Sequence, residues 1–73
     1  MTLITNTDAL RAFCEPLHSE PFITVDTEFM REKTYWPQLC LVQIGGPDKA
    51  VAVDPLADGM DLTPIYELFD DRL

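Results

Sequence analysis

The chain is short of the residues that most often betray a function. Among its 73 residues, five Lys or Arg stand against thirteen Asp or Glu, a formal net charge of −8. Phosphate binding draws on Lys and Arg, so a surface this acidic does not grip a polyanion by itself. A nucleic-acid substrate would need bound cations, or a basic region outside these residues, to supply the attraction. Cysteine is also scarce, with only Cys14 and Cys40, each on an apolar face. The opening Met1-Thr2-Leu3-Ile4 lacks the basic start and long apolar core of a secretory leader. These features argue against a disulfide framework and for buried, reduced thiols in a cytoplasmic protein. No apolar run reaches the roughly 18 residues of a membrane span, so no membrane partner is expected. The single histidine, His18, lies in a polar connector, where an exposed loop residue without a catalytic role is expected. Glycine is limited to three positions. Gly45-Gly46 has no GxGxxG spacing, GK[ST] ending or following helix start, so it reads as a hairpin turn rather than a phosphate cradle.

What remains is enough for one small domain. At 47% hydrophobic and 25% charged the composition is that of a globular protein. A chain of this length buries only about 60% of the surface its unfolded form exposes, and such domains usually lean on a metal, a disulfide or a partner. Residues 2–5 suit a short edge strand or an extended arm. Thr5, Asn6 and Thr7 are acceptable helix caps, and Leu10, Phe13, Cys14 and Leu17 recur with helical spacing until Pro16 ends or kinks the run. Phe22 to Phe29 and Gln38 to Ile44 read as strands, the second apolar enough to be covered on both faces. Ala50 to Val53 completes a hairpin with it. Asp61 or Thr63 then caps a helix that tolerates Pro64 in its first turn and shows Leu62, Ile65, Leu68 and Phe69 on one face, with Asp70-Asp71-Arg72-Leu73 as its exit.

The first of these strands carries the chemistry. Side chains alternate along a strand, so in Phe22-Ile23-Thr24-Val25-Asp26-Thr27-Glu28-Phe29 the two acids Asp26 and Glu28 share a face. Their backbones stand about 6.5–7 Å apart, and the side chains can lean together onto a pair of hard cations of the kind that phosphoryl-transfer sites hold about 3.5–4 Å apart. The plainer reading is a solvated face of an edge strand. The following segment, Met30-Arg31-Glu32-Lys33-Thr34-Tyr35-Trp36-Pro37, reads as a loop that places Arg31 and Lys33 beside the carboxylates. It is either a solvated lid or a phosphate and base contact zone.

The run Asp26-Thr27-Glu28-Phe29-Met30-Arg31, followed by Tyr35-Trp36-Pro37-Gln38-Leu39-Cys40-Leu41-Val42-Gln43 and by Val53-Asp54-Pro55-Leu56, resembles the first exonuclease motif of the ribonuclease D family and the strands after it. That family belongs to the DEDD superfamily of 3′-5′ exonucleases. The resemblance covers about Leu10 to Leu73. It implies an α/β, ribonuclease H-like fold, here incomplete, as helix, three-stranded antiparallel part of the sheet, and helix. It further implies that Asp26 and Glu28 are catalytic and ligate two divalent cations, Mg²⁺ or Mn²⁺, while Thr27, Phe29 and Met30 lie against the terminal nucleotide and Arg31 adds to the substrate contact. The expected substrate is RNA at its 3′ end, with tRNA precursors implied by the family. The family's two later aspartates, its Tyr or His and its RNA-binding helical domains have no counterpart in these 73 residues, since Asp54, Asp58, Asp61, Asp70 and Asp71 sit in loops and caps. The chain therefore reads as the N-terminal part of such an exonuclease domain, with no measurable activity of its own expected. The rival reading is a non-catalytic interaction module.

Overall fold

A computed structural model describes residues 2–30 and 38–72 of the chain. The first helix, α1 (Thr7–Cys14), starts where Asn6 turns extended and its side-chain oxygen accepts the Ala9 N–H at 2.8 Å. That bond satisfies one of the donors every helix start leaves open. Leu10 and Cys14 turn inward with Ala9 and Phe13 beside them. Pro16 cannot extend the ladder, and the chain tightens into a 3₁₀ turn over Glu15–Ser19 that drops Leu17 into the same core.

Four strands form one mixed sheet. β1 (Thr2–Ile4), β2 (Thr24–Met30), β3 (Gln38–Gly45) and β4 (Ala50–Val53) lie in the spatial order β1-β4-β3-β2. β3 pairs antiparallel with both β2 and β4, and β1 adds to β4 in parallel, with Ile4 beside Val53. The expected three-stranded antiparallel unit is thus the larger part of a four-stranded sheet, because the N-terminal residues form a true strand that buries Ile4. The β3–β4 turn closes with the Gly46 N–H on the Lys49 carbonyl at 2.8 Å. A Cβ on Gly45 would stand 2.5 Å from that same carbonyl oxygen, so the turn needs a glycine there.

Directly paired residues share a face. Val42 and Ile44 of β3 align with Val53 and Val51 of β4, and these four, with Ile4, meet Leu10, Cys14, Leu17, Ile65 and Leu68 in one core. The last two belong to α2 (Thr63–Arg72), which starts with Asp61 accepting the N–H and hydroxyl of Thr63. α2 runs on through Asp70 and Asp71, which the sequence assigned to a helix exit. Its last turn is tied down, since the Arg72 guanidinium donates to the Leu17 carbonyl at 3.0 Å and Asp71 meets the His18 ring at 2.9 Å. His18 is therefore engaged with α2 rather than alone in a loop.

Two further expectations change. β2 begins at Thr24 rather than Phe22, which is exposed. β3 is covered on one face only among the described residues. Val42 and Ile44 are buried, but Leu41 and Cys40 are half-buried, so Cys40 is not the core thiol expected. The apolar run is continuous for another reason. β3 carries a bulge opposite Glu28 and Phe29, which brings Leu39 to the covered side as well.

The two thiols should separate by reactivity. Burial pushes Cys14 up from 9.0 to about 11, with Arg11 opposing weakly. A thiol reagent should modify Cys40 in the folded chain and reach Cys14 only on unfolding. The same shift makes stability pH-dependent. The unfolded thiol ionises first, so stability present below pH 9 should be lost as pH rises towards about 11. Replacing Cys14 by Ala should remove that alkaline slope from a series of denaturant melts, at a cost in overall stability from the lost packing.

Candidate metal centre

Among the described residues β2 is an edge strand of the sheet, and every residue from Thr24 to Phe29 is exposed. It is held by its ladder with β3, where Asp26 faces Gln43 and Glu28 faces Leu41. The register settles which way the carboxylates point. Thr27 shares its face with Val42 and Val25 shares its face with Ile44, so these two lie on the helix-covered side, though both are exposed. Asp26 and Glu28 consequently stand on the opposite, open face, in the same row as Gln43, Ala52 and Leu3 for Asp26.

The Asp26 carboxylate is already oriented. Its Oδ1 accepts the Thr27 backbone N–H at 3.0 Å. A carboxylate has about four acceptor sites, so this one bond holds the group while leaving capacity for a cation. The donor set is all oxygen, exposed and anionic, which suits a hard cation such as Mg²⁺ or Mn²⁺ better than zinc. It is also partial. Mg²⁺ takes six ligands and usually keeps several waters, and among the described residues no three His, Cys, Asp or Glu gather as a metal set. Asp26 and Glu28 fit one side of such a centre.

Three of the other aspartates have local partners. Asp54 accepts the Leu56 N–H at 2.9 Å, and Asp71 meets His18. The hydroxyl and N–H of Thr63 hold the Asp61 carboxyl below its ordinary range. Asp54 and Asp61 act as loop and helix caps, as their sequence contexts suggested, whereas Asp71 lies inside α2. Of the expected substrate contacts, Thr27 lies across the strand from the carboxylates, Phe29 is 57% exposed at the bulge, and Met30 ends β2 opposite Gln38. Arg31, with Lys33, Tyr35 and Trp36, lies outside the described residues. Two residues escaped the sequence reading. Gln43 sits directly across from Asp26 on the open face, and its signal was a polar residue inside an apolar strand. Cys40 sits at the bulge beside Glu28, where a strict period of two gives no warning.

Comparison with known proteins gives the family and the fold. A family model described as 3′-5′ exonuclease matches residues 1–73. Ribonuclease D of Granulibacter bethesdensis is 54% identical over 70 residues, covering 96% of this chain and 18% of that protein. Ribonuclease D of Acidiphilium cryptum is 57% identical over 67 residues, covering 92% of this chain and 17% of that protein. The chain therefore spans under a fifth of the length of these relatives. The crystal structure of Escherichia coli RNase D, described as an exoribonuclease involved in structured RNA processing, superposes with a TM-score of 0.81 at 39% identity over 92% of this chain and 18% of that one. The exonuclease domain of Aedes aegypti Nibbler superposes with a TM-score of 0.78 over 96% of this chain and 32% of that one, and at 16% identity it shows the fold alone. The fold is α/β and ribonuclease H-like, as in these exonuclease domains.

Asp26→Asn separates holding from ligating. The amide keeps an oxygen for the Thr27 N–H but loses the charge that a hard cation needs. Removing one of two neighbouring acids also relieves repulsion. The melting temperature without metal should stay equal or rise, while Mn²⁺ binding followed by electron paramagnetic resonance weakens about tenfold, or about 1.4 kcal/mol. A variant that unfolds, or that binds Mn²⁺ as the parent does, would make Asp26 structural.

Proposed function

The chain belongs to the 3′-5′ exonuclease family, and from that premise we propose that it supplies the Asp26 and Glu28 side of a two-cation centre that hydrolyses the 3′-terminal phosphodiester of RNA. The observation that carries the reading is the pair of exposed carboxylates on one open face of β2, in a chain more than half identical to ribonuclease D relatives. Two Mg²⁺ or Mn²⁺ ions held there would supply an acidified water and charge relief at the leaving oxygen. In this reading Asp26 would help hold the ions, from a carboxylate kept in place by the Thr27 N–H. Glu28 would hold an ion beside it and help to orient a water for attack. Of the residues that the resemblance sets against the terminal nucleotide, Met30 closes β2, while Thr27 and Phe29 pair with Val42 and Leu39 on the face away from the carboxylates, and Arg31 would meet the phosphate.

The charge balance agrees with this division of labour. At −8 the chain repels RNA unless cations intervene, so the basic surface that holds the strand belongs to the much longer remainder that the relatives possess. The family resemblance points to tRNA precursors as substrates and to the cytoplasm as the place of action. Among the described residues the outer edge of β2 is unpaired and displays Val25 and Phe29. Such an edge invites association, so the isolated chain is proposed to be marginally stable and to self-associate through it. Light scattering at increasing concentration should show growth beyond the monomer. A monodisperse monomer with a sharp cooperative melt would count against this.

The function is tested by exchange. The matching segment of a full-length ribonuclease D is replaced by this chain, and shortening of a 3′-labelled RNA is followed in single turnover with Mg²⁺. The chimera should cut, and Asp26→Asn or Glu28→Gln should each lower the rate by several orders of magnitude while RNA binding persists. The 73 residues alone should not shorten the RNA. A loss within about tenfold, only about 1.4 kcal/mol of barrier, would instead favour a non-catalytic module whose acids are a solvated strand face.

A further inference from the structure

We propose that Cys40, the extra residue in β3, is a positioning residue that sets the aim of the Glu28 carboxylate, an inference that rests on the metal reading of Asp26 and Glu28. The β2–β3 register steps evenly from Thr24 opposite Gly45 to Glu28 opposite Leu41, and then pairs Phe29 with Leu39, skipping Cys40. A bulge of this kind bends its strand and increases the local twist. On a regular strand the carboxylates at positions 26 and 28 stand parallel, about 6.5–7 Å apart at the backbone. To serve ions about 3.5–4 Å apart they must converge. Twist placed at the Glu28 end, and not at the Asp26 end, turns one carboxylate relative to the other.

Two contacts hold the bulge in place. The Cys40 thiol donates to the Glu28 carbonyl at 3.4 Å, which ties the extra residue to the backbone of the ligand itself. The skip also carries Leu39 to the side of Val42 and Ile44, where it packs against the core. An unbulged ladder would put Cys40 on that side and Leu39 on the open face. Returning to regular pairing therefore costs the packing of Leu39, so the core indirectly fixes the direction of Glu28. Cys40 touches neither substrate nor ion in this account and acts only through Glu28.

The test uses Mn²⁺ alone as the probe on this chain, with affinity read by electron paramagnetic resonance and folding by far-ultraviolet circular dichroism. Glu28→Gln sets the scale. Deleting Cys40 removes the skip and should weaken Mn²⁺ about tenfold, as Glu28→Gln does, the low end of what losing a supporting contact costs a metal site. Cys40→Val keeps chain length but loses the donor and places a β-branched residue in the bulge, and it should weaken Mn²⁺ about threefold or more by the same reasoning. Cys40→Ser keeps a donor and should stay within about twofold of the parent. If the deletion variant does not fold, Cys40→Val decides. Parent-like binding by a folded Cys40→Val or deletion variant, while Glu28→Gln is weak, overturns the positioning role and leaves the metal reading intact. Parent-like binding by Glu28→Gln overturns the metal reading, and the positioning role with it.

Discussion

The backbone ladder between β2 and β3 is the constraint on which the rest of the site depends. β2 places no side chain from Thr24 to Phe29 in the core, and β3 is its only neighbour in the sheet among the described residues. Its position comes from main-chain hydrogen bonds rather than from packing. Each such bond contributes only about 0.5–1.5 kcal/mol net, so β2 belongs to the low-stability end of the fold. The strand that bears Asp26 and Glu28 is thus held by β3, and β3 is anchored by Val42 and Ile44 beneath the helices. Damage to that core reaches the carboxylates without any contact with them.

The helices serve the sheet from one side and are tied to each other at their ends. Thr7 accepts the Asp61 N–H at 2.9 Å, Arg11 meets Glu67 at 3.5 Å, and Arg72 reaches the Leu17 carbonyl. The exposed Arg11–Glu67 pair adds little stability by itself. The bonds to backbone groups have a clearer role, since they cap orphan donors and acceptors at element ends. Asp54, Asp61 and Asp71 are spent on N–H, hydroxyl and imidazole partners, whereas Glu28 and the partly engaged Asp26 stand exposed at the sheet edge.

The open face beside those acids is of mixed character. Leu3 is 53% exposed and lies in the same cross-strand row as Ala52, Gln43 and Asp26. An exonuclease domain built on this sheet has a face on which to place further chain against the carboxylates. The relatives, more than five times longer by the coverage of the match, have that chain to place.

By itself the sequence determined the elements and the pairing of the two acids. Periodicity carries that information, because Leu10, Cys14 and Leu17 repeat with the helix and Asp26 and Glu28 repeat with the strand. Proline and the Asn6 cap set the limits of α1 for reasons local to the backbone. Other features were not legible in this way. The parallel addition of β1 depends on a partner some fifty residues away, as Ile4 beside Val53 shows. The last turn of α2 depends on the 3₁₀ turn it bonds to, and no local pattern records that contact. The bulge at Cys40 breaks the period of two on which strand reading relies, and only the pairing with β2 reveals the skipped residue. Residue type and spacing thus decided which groups lie on β2, while tertiary pairing decided which face is open and which residue stands across from each acid, because register is a property of two strands together.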